Sequence, residues 1–452
     1  MKLINKFFLT ISLLFAVTAC NKEEDLDVRQ PVGLGGDVTA QGPLDKWLKD
    51  SLTTPYNIAV KYRWDPWELN LDKVLTPPDE SKIIQAMSAV KRIWIDPYNA
   101  ETGSELFIKK YSPKQFVLVG SIEYSPPFGV ILGAAEGGNN ITFLDINQNY
   151  FRDEVTSVKQ MLLTTHHEFA HILHQNILFP QAYKTISTNK GFPGYTATWF
   201  NVESERQALE WGYMTKYSML SAEEDFVEMI SYMLVEGRTK INERFASVSP
   251  QAQAALREKE AIIVDYYRRV YNIDFYSLQT RVQAALKALL PPPTVEQAYG
   301  FDKEFTTASV DPLNQSLLPQ PAAFMSVYNT SKNAVAALPF GITMDSIALI
   351  QANATRAVLR VYLGQGGDVF VADYVFSVTK NAGAVYTFAY FGTDPNGNGP
   401  LVRTAVSSLV DYFNNKTFTV TWYADPGVSI YPRVKFTPQA TPGSYFIARL
   451  LP

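Results

Sequence analysis

Residues 161–175 read MLLTTHHEFAHILHQ, and all four histidines of the 452-residue chain lie in this stretch: His166, His167, His171 and His174. His167 to His171 form an H-E-x-x-H pattern, with Glu168 directly after the first histidine. A helix turns about 100° per residue, so side chains four apart stack on one face. Two imidazoles placed this way can direct nitrogens at one zinc ion at about 2.0–2.1 Å. Glu168 projects to the side, where it can take a proton from a water without occupying the metal. Zinc lowers the pKa of such a water toward about 7 and polarises a carbonyl. The apolar flanks Met161-Leu162-Leu163, Phe169-Ala170 and Ile172-Leu173 predict a buried helix over 154–177, at the floor of a cleft.

A catalytic zinc takes three protein ligands and keeps one position open. No histidine remains outside this helix, and Cys20 is the only cysteine, so the third ligand should be a carboxylate. Downstream, Ser221-Ala222-Glu223-Glu224-Asp225-Phe226-Val227-Glu228 is amphipathic at helical spacing. Glu224 and Glu228 share a face, so one can ligate while the other holds the far nitrogen of a ligand histidine. Glu223 and Asp225 read as a solvated helix face. Glu203, Glu205 and Glu210 are weaker ligand alternatives, because none has an acidic partner one turn on within an apolar helix. A purely structural zinc site is disfavoured, because four protein ligands, often cysteines, usually fill one. His166 and His174 stand outside the motif; His174 falls near the His167 stripe and reads as a packed or hydrogen-bonded structural histidine.

The chain opens on an export signal. Lys2 and Lys6 precede an apolar run over 7–19, too short for the ~20 residues a spanning helix needs. Val17-Thr18-Ala19-Cys20 resembles a lipobox, which makes residues 1–19 a lipoprotein signal peptide and Cys20 the lipidated residue. The acidic Asn21-Lys22-Glu23-Glu24-Asp25 resembles the signal that sends some Gram-negative lipoproteins to the outer face of the outer membrane. The expected location is therefore the outer membrane, lipid-anchored, at the cell surface. Residues 20–42 read as a tether.

Apolar residues make up 46% and charged residues 19%, so the remainder should be globular. A net charge of −4 excludes the basic face of a nucleic-acid binder. Helical spacing at 44–52, a strand-like run at 56–64 and a helix from Ser81 to Trp94 open the first folded segment, residues 43–293. Strand patterns follow at 116–121, 128–132 and 141–146. Helices then read at 205–217 and 223–235, with alanine-rich helical segments over 250–290. Pro291-Pro292-Pro293 marks a boundary. Beyond it, six strand patterns (355–363, 369–378, 385–391, 417–423, 430–436 and 445–451) predict a mainly antiparallel β-domain over 300–452, a sandwich or barrel. The fold class is α+β.

The two helical segments together resemble the gluzincin metallopeptidases, which include thermolysin and the anthrax lethal factor. They are most similar to the zinc metallohydrolase lipoproteins associated with import of substrates through the outer membrane. The shared elements are Gly212-Tyr213, Tyr217 and Glu224-Asp225-Phe226-Val227-Glu228, and the resemblance spans residues 44–290. It implies a zincin-like domain with zinc on His167, His171 and Glu224. It makes Glu168 the general base and Glu228 the partner of a ligand histidine, and Tyr217 a donor to the oxyanion. A phenol suits that last role because it can hydrogen-bond to charge developing on a carbonyl oxygen. The expected activity is peptide hydrolysis, with a peptide or protein substrate bound along an edge strand such as 141–146. The alternative is a non-catalytic or weakly catalytic surface binding module that serves an outer-membrane nutrient importer as its partner.

Overall fold

The computed structural model describes residues 41–63, 72–125, 129–131, 133–136, 140–147 and 155–452. The export signal, Cys20 and the acidic cluster lie outside the described residues, as does nearly all of the tether. The chain divides into two compact units, Met1–Lys46 and Trp47–Pro452. In the first, the Gly42 N–H donates to the Asp45 carboxylate at the start of helix Pro43–Leu48.

The first half of the second unit sets a small mixed sheet against helices. Strands β1 (Ala59–Lys61), β2 (Gln115–Leu118), β5 (Gly133–Glu136) and β6 (Asn140–Phe143) form it in the order β1-β2-β6-β5. The first three in that order run parallel and β5 runs antiparallel to β6. β3 (Glu123–Ser125) and β4 (Gly129–Ile131) make a separate antiparallel pair. The run expected as a strand over 56–64 is shorter, because Tyr56 ends a helix that Asn57 closes at φ 60°. Asp79 rather than Ser81 caps helix α1 (Glu80–Val90), its carboxylate accepting from the Ser81 N–H. Strand 141–146 is not a free edge either. β6 pairs with β2 on one side and β5 on the other, so among the described residues the sheet ends on β1 and β5.

The longest helices of this half are α2 (Val155–Asn176), α3 (Ala222–Ala246), α4 (Pro250–Tyr271) and α5 (Phe275–Leu289). Helix α2 packs on β5 and β6 and, more extensively, along α3. Phe169 anchors it, with ring contacts of 5.0 Å to both Trp94 and Tyr98. Phe116 and Phe143 extend the cluster into the sheet. The helix expected over 205–217 stops at Glu210, because Gly212 turns to φ 77°. A side chain there would meet the Ala255 Cβ at 2.7 Å. Helix α3 runs well past residue 235 and bends at Gly237, with φ 79° and ψ 167°.

The second half is a closed barrel of eight strands. They are β7 (Thr307–Val310), β8 (Thr343–Asn353), β9 (Arg356–Gln365), β10 (Asp368–Asn381), β11 (Val385–Thr393), β12 (Lys416–Ala424), β13 (Arg433–Pro438) and β14 (Phe446–Leu451). Each pairs antiparallel with its sequence neighbour, and β14 closes on β7. Alternate residues such as Leu359 and Val361, or Tyr374 and Phe376, point inward and are buried. Helices α6 (Ala322–Ala336) and α7 (Ser407–Phe413) add Phe324, Tyr328, Tyr412 and Phe413 to the same cluster. An eight-stranded barrel is just wide enough for side chains to fill. This one is a packed core.

The halves meet through α3. Glu243 accepts from Ser429 Oγ and the Ile430 N–H, both at 2.8 Å, and pairs with Arg433 at 3.1 Å. Lys240 donates to the Pro426 carbonyl at 2.8 Å, and Trp422 donates to the carbonyl of Pro293.

Gly212→Ala should lower stability by ~2–4 kcal/mol, combining left-handed strain with overpacking against Ala255. Gly103 also has positive φ but nothing within 4 Å, so Gly103→Ala should cost only the strain. Calorimetric melting of both proteins checks this; equal losses would show that the loop yields at no cost.

Candidate metal centre

Helix α2 has two faces. Phe169, Leu162 and Leu173 point into the core, whereas His167 and His171 face α3. His167 Nε2 lies 3.1 Å from Glu224 Oε2, and His171 Nε2 lies 3.3 Å from the same oxygen. Tetrahedral zinc at about 2.0–2.1 Å from each ligand requires ligand atoms ~3.3 Å apart, so the donor set fits that ion. Ligand atoms of His167, Glu168 and His171 all lie within 4.8 Å of one another.

The far nitrogens of both histidines are engaged. His167 Nδ1 is 2.9 Å from Glu228 Oε1, and His171 Nδ1 is 2.9 Å from His174 Nε2. With Nδ1 donating, each ring presents an Nε2 lone pair inward, the tautomer that metal binding needs. His174 is thus the hydrogen-bonded histidine, with His171 as its partner. Burial holds its pKa down at about 4, ahead of the nearby His171, so it is the neutral acceptor. His166 is buried against the Tyr98 ring instead, away from this cluster, and burial lowers its pKa to about 3.

The remaining charges set the chemistry. Burial opposes a charged His167, but Glu224 and Glu228 outweigh it and push its pKa up to about 10, so Nε2 shares a proton with Glu224 until a metal ion displaces it and takes up the lone pair. Burial also raises Glu224, but the two imidazoles prevail and hold its carboxyl well below the usual range. Glu168 is 8% exposed, and burial raises its pKa against the pull of both histidines. A carboxylate shifted upward is a stronger base. Tyr217 is raised by burial and then by Glu224, Glu168 and Glu228, so it remains a phenol and a donor. Its ring lies 6.0 Å from the His167 ring and edge-on to Trp199 at 5.1 Å.

Other candidate acids sit elsewhere. Glu203 is exposed; Glu205 accepts from the Lys216 N–H; Glu210 pairs with Arg206 and accepts from the Ser249 N–H. Glu223 pairs with Lys184. Asp225, expected on a solvated face, is instead fully buried. Its carboxylate meets Lys259 at 2.6 Å and accepts from the Tyr195 hydroxyl at 3.0 Å. Lys259 also donates to the carbonyl of Gly212 at 2.7 Å. Sequence patterning missed Asp225, Lys259, Tyr195 and Thr215. The first two belong to polar helix faces that only tertiary packing buries; the other two lie in loops without a motif.

The family model described as "Putative zinc-binding metallo-peptidase" matches residues 37–276, more than half of the chain. The chain belongs to this family. The metallopeptidase match takes in α2, the Gly212 loop and α3, hence every residue of the cluster. A crystal structure of a putative zinc-binding metallo-peptidase from Bacteroides caccae ATCC 43185 is 25% identical. The similarity covers 54% of this chain and 92% of that one, with a TM-score of 0.46. No curated protein matches the chain.

Glu224→Ala should lose most of its zinc on dialysis against a mild chelator, whereas Glu203→Ala, Glu205→Ala and Glu210→Ala keep one ion each. Atomic emission on the dialysed proteins decides; zinc retained by Glu224→Ala would move the third ligand elsewhere.

Proposed function

We propose that this metallopeptidase hydrolyses peptide bonds with one zinc ion held by His167, His171 and Glu224. The observation that carries the reading is the convergence of both Nε2 atoms on Glu224 Oε2, at 3.1 and 3.3 Å. Zinc bound there would acidify a water and polarise the scissile carbonyl. Glu168 accepts the proton of the attacking water and passes it to the leaving amine. Tyr217 donates a hydrogen bond to the oxygen on which charge develops. Glu228 and His174 fix the two imidazoles in the ligating tautomer. β5 lies at one end of the sheet beside α2, and among the described residues no strand pairs with its far side, which could take an extended peptide. That mode reads main chain more than side chains and suits peptide or protein substrates. We propose in addition that Cys20 is lipidated and anchors the enzyme at the outer membrane, facing outward, where an importer could take up its products.

Glu168 separates an enzyme from a binding module. Glu168→Gln keeps the shape but cannot take a proton, so it should hold one zinc per chain. Its cleavage of a peptide library should fall by about 10²–10⁴. Cleavage at the wild-type rate would remove Glu168 as base, and an inert, zinc-loaded wild type would favour the binding module. For the anchor, Cys20→Ala should shift the protein from the membrane to the soluble fraction in cells of a Gram-negative host. If the wild type survives protease shaving of intact cells that strips a known surface protein, the outward orientation is wrong.

A further inference from the structure

We infer that Thr215 is a positioning residue that ties the oxyanion donor to the metal centre through Glu228. The inference rests on the proposed role of Tyr217 and goes beyond it by naming what holds Tyr217 in place. Glu228 uses both oxygens. Oε1 takes His167 Nδ1 at 2.9 Å, and Oε2 takes the Thr215 hydroxyl at 2.6 Å. A threonine hydroxyl has one proton, and here it goes to the carboxylate. The Thr215 oxygen is then the acceptor for Ser218, whose N–H lies at 3.1 Å and whose hydroxyl lies at 3.2 Å. Ser218 Oγ in turn accepts the Thr215 N–H at 3.3 Å. Residues 215–218 are thus closed on themselves by reciprocal bonds, with Tyr217 inside the closure.

Burial makes the closure firm. Thr215 is 7% exposed and Ser218 0%, so water cannot readily replace these bonds. The consequence is geometric. The imidazole of His167 and the phenol of Tyr217, on different elements, are both referenced to one carboxylate. A shift of the Thr215 loop moves the phenol relative to the metal, and loss of the Thr215 proton frees Glu228 to turn away from His167.

The test needs no known substrate. The full-length chain is loaded with cobalt(II) and titrated with acetohydroxamate, a small metal binder with an anionic oxygen, and the cobalt absorption is read. Zinc affinity is measured separately by chelator competition. Thr215→Val should raise the zinc dissociation constant about tenfold, the usual scale for a partner of a ligand histidine, and weaken acetohydroxamate similarly. Thr215→Ser, which keeps the hydroxyl, should stay within about twofold on both, and Thr215→Ala is measured beside Val so that the result does not hang on one variant folding. Placed on Tyr217→Phe, Thr215→Val should weaken acetohydroxamate by less than about a further twofold, because residues acting through one another are not additive. Wild-type binding by Thr215→Val and Thr215→Ala overturns the proposal, as do losses that multiply in the double variant. If Tyr217→Phe alone binds acetohydroxamate as well as wild type, the coupling is overturned while zinc binding by His167, His171 and Glu224 stands. A wild-type chain that binds no zinc overturns the proposed function itself.

Discussion

The ion pair between Asp225 and Lys259 has no contact with solvent, and much of the site is arranged around it. Removing one partner of such a pair typically costs about 3–5 kcal/mol, because the other charge is left buried and alone. Here each partner also has neutral bonds to make. Asp225 takes the Tyr195 hydroxyl and Lys259 the Gly212 carbonyl, while the ammonium lies 4.1 Å from the Tyr213 ring. Four pieces of chain, α3, α4, the Tyr195 segment and the Gly212 loop, are thereby joined at one point. Asp225 directly follows Glu224, so the first turn of α3 cannot rotate without breaking this junction.

Helix α2 depends on that immobility. Its inner face is fixed by Phe169 among Trp94 and Tyr98, and its outer face presents His167 and His171 to Glu224. A site built between two rigid helices holds donor atoms more tightly than one built on loops. Only Tyr217 comes from a segment without long regular structure, and that segment is the one stitched to Glu228.

What could be read from the chain alone divides along the range of the interactions involved. The histidine pair was legible because four-residue spacing is a property of one helix, and Glu224 with Glu228 repeats that spacing on the next. Six barrel strands were legible from alternation. β8 was not, because its register shifts between Met344 and Ser346 and again between Gln351 and Asn353, which breaks the period. β7 has only four residues and carries little pattern. The helix expected through 217 ended early for a tertiary reason, the close approach of Gly212 to Ala255 on α4. The choice between sandwich and barrel turns on whether the first strand meets the last. No local signal reports that pairing. Asp225 looked like surface because the lysine that buries it lies on another helix.

Beside the bend at Gly237, three carbonyls of α3 accept from glutamine side chains of α5. Gln279 takes that of Met233 at 2.6 Å, and Gln283 takes those of Leu234 and Val235 at 2.7 and 2.9 Å. Straightening the helix would forfeit all of these bonds, so the bend behaves as a welded elbow rather than a hinge. One arm of the elbow carries Glu224 and Glu228; the other carries Lys240 and Glu243, which grip the barrel. A torque applied to the barrel would therefore reach the histidines as a rotation of one stiff bracket, undamped by any flexible joint along α3.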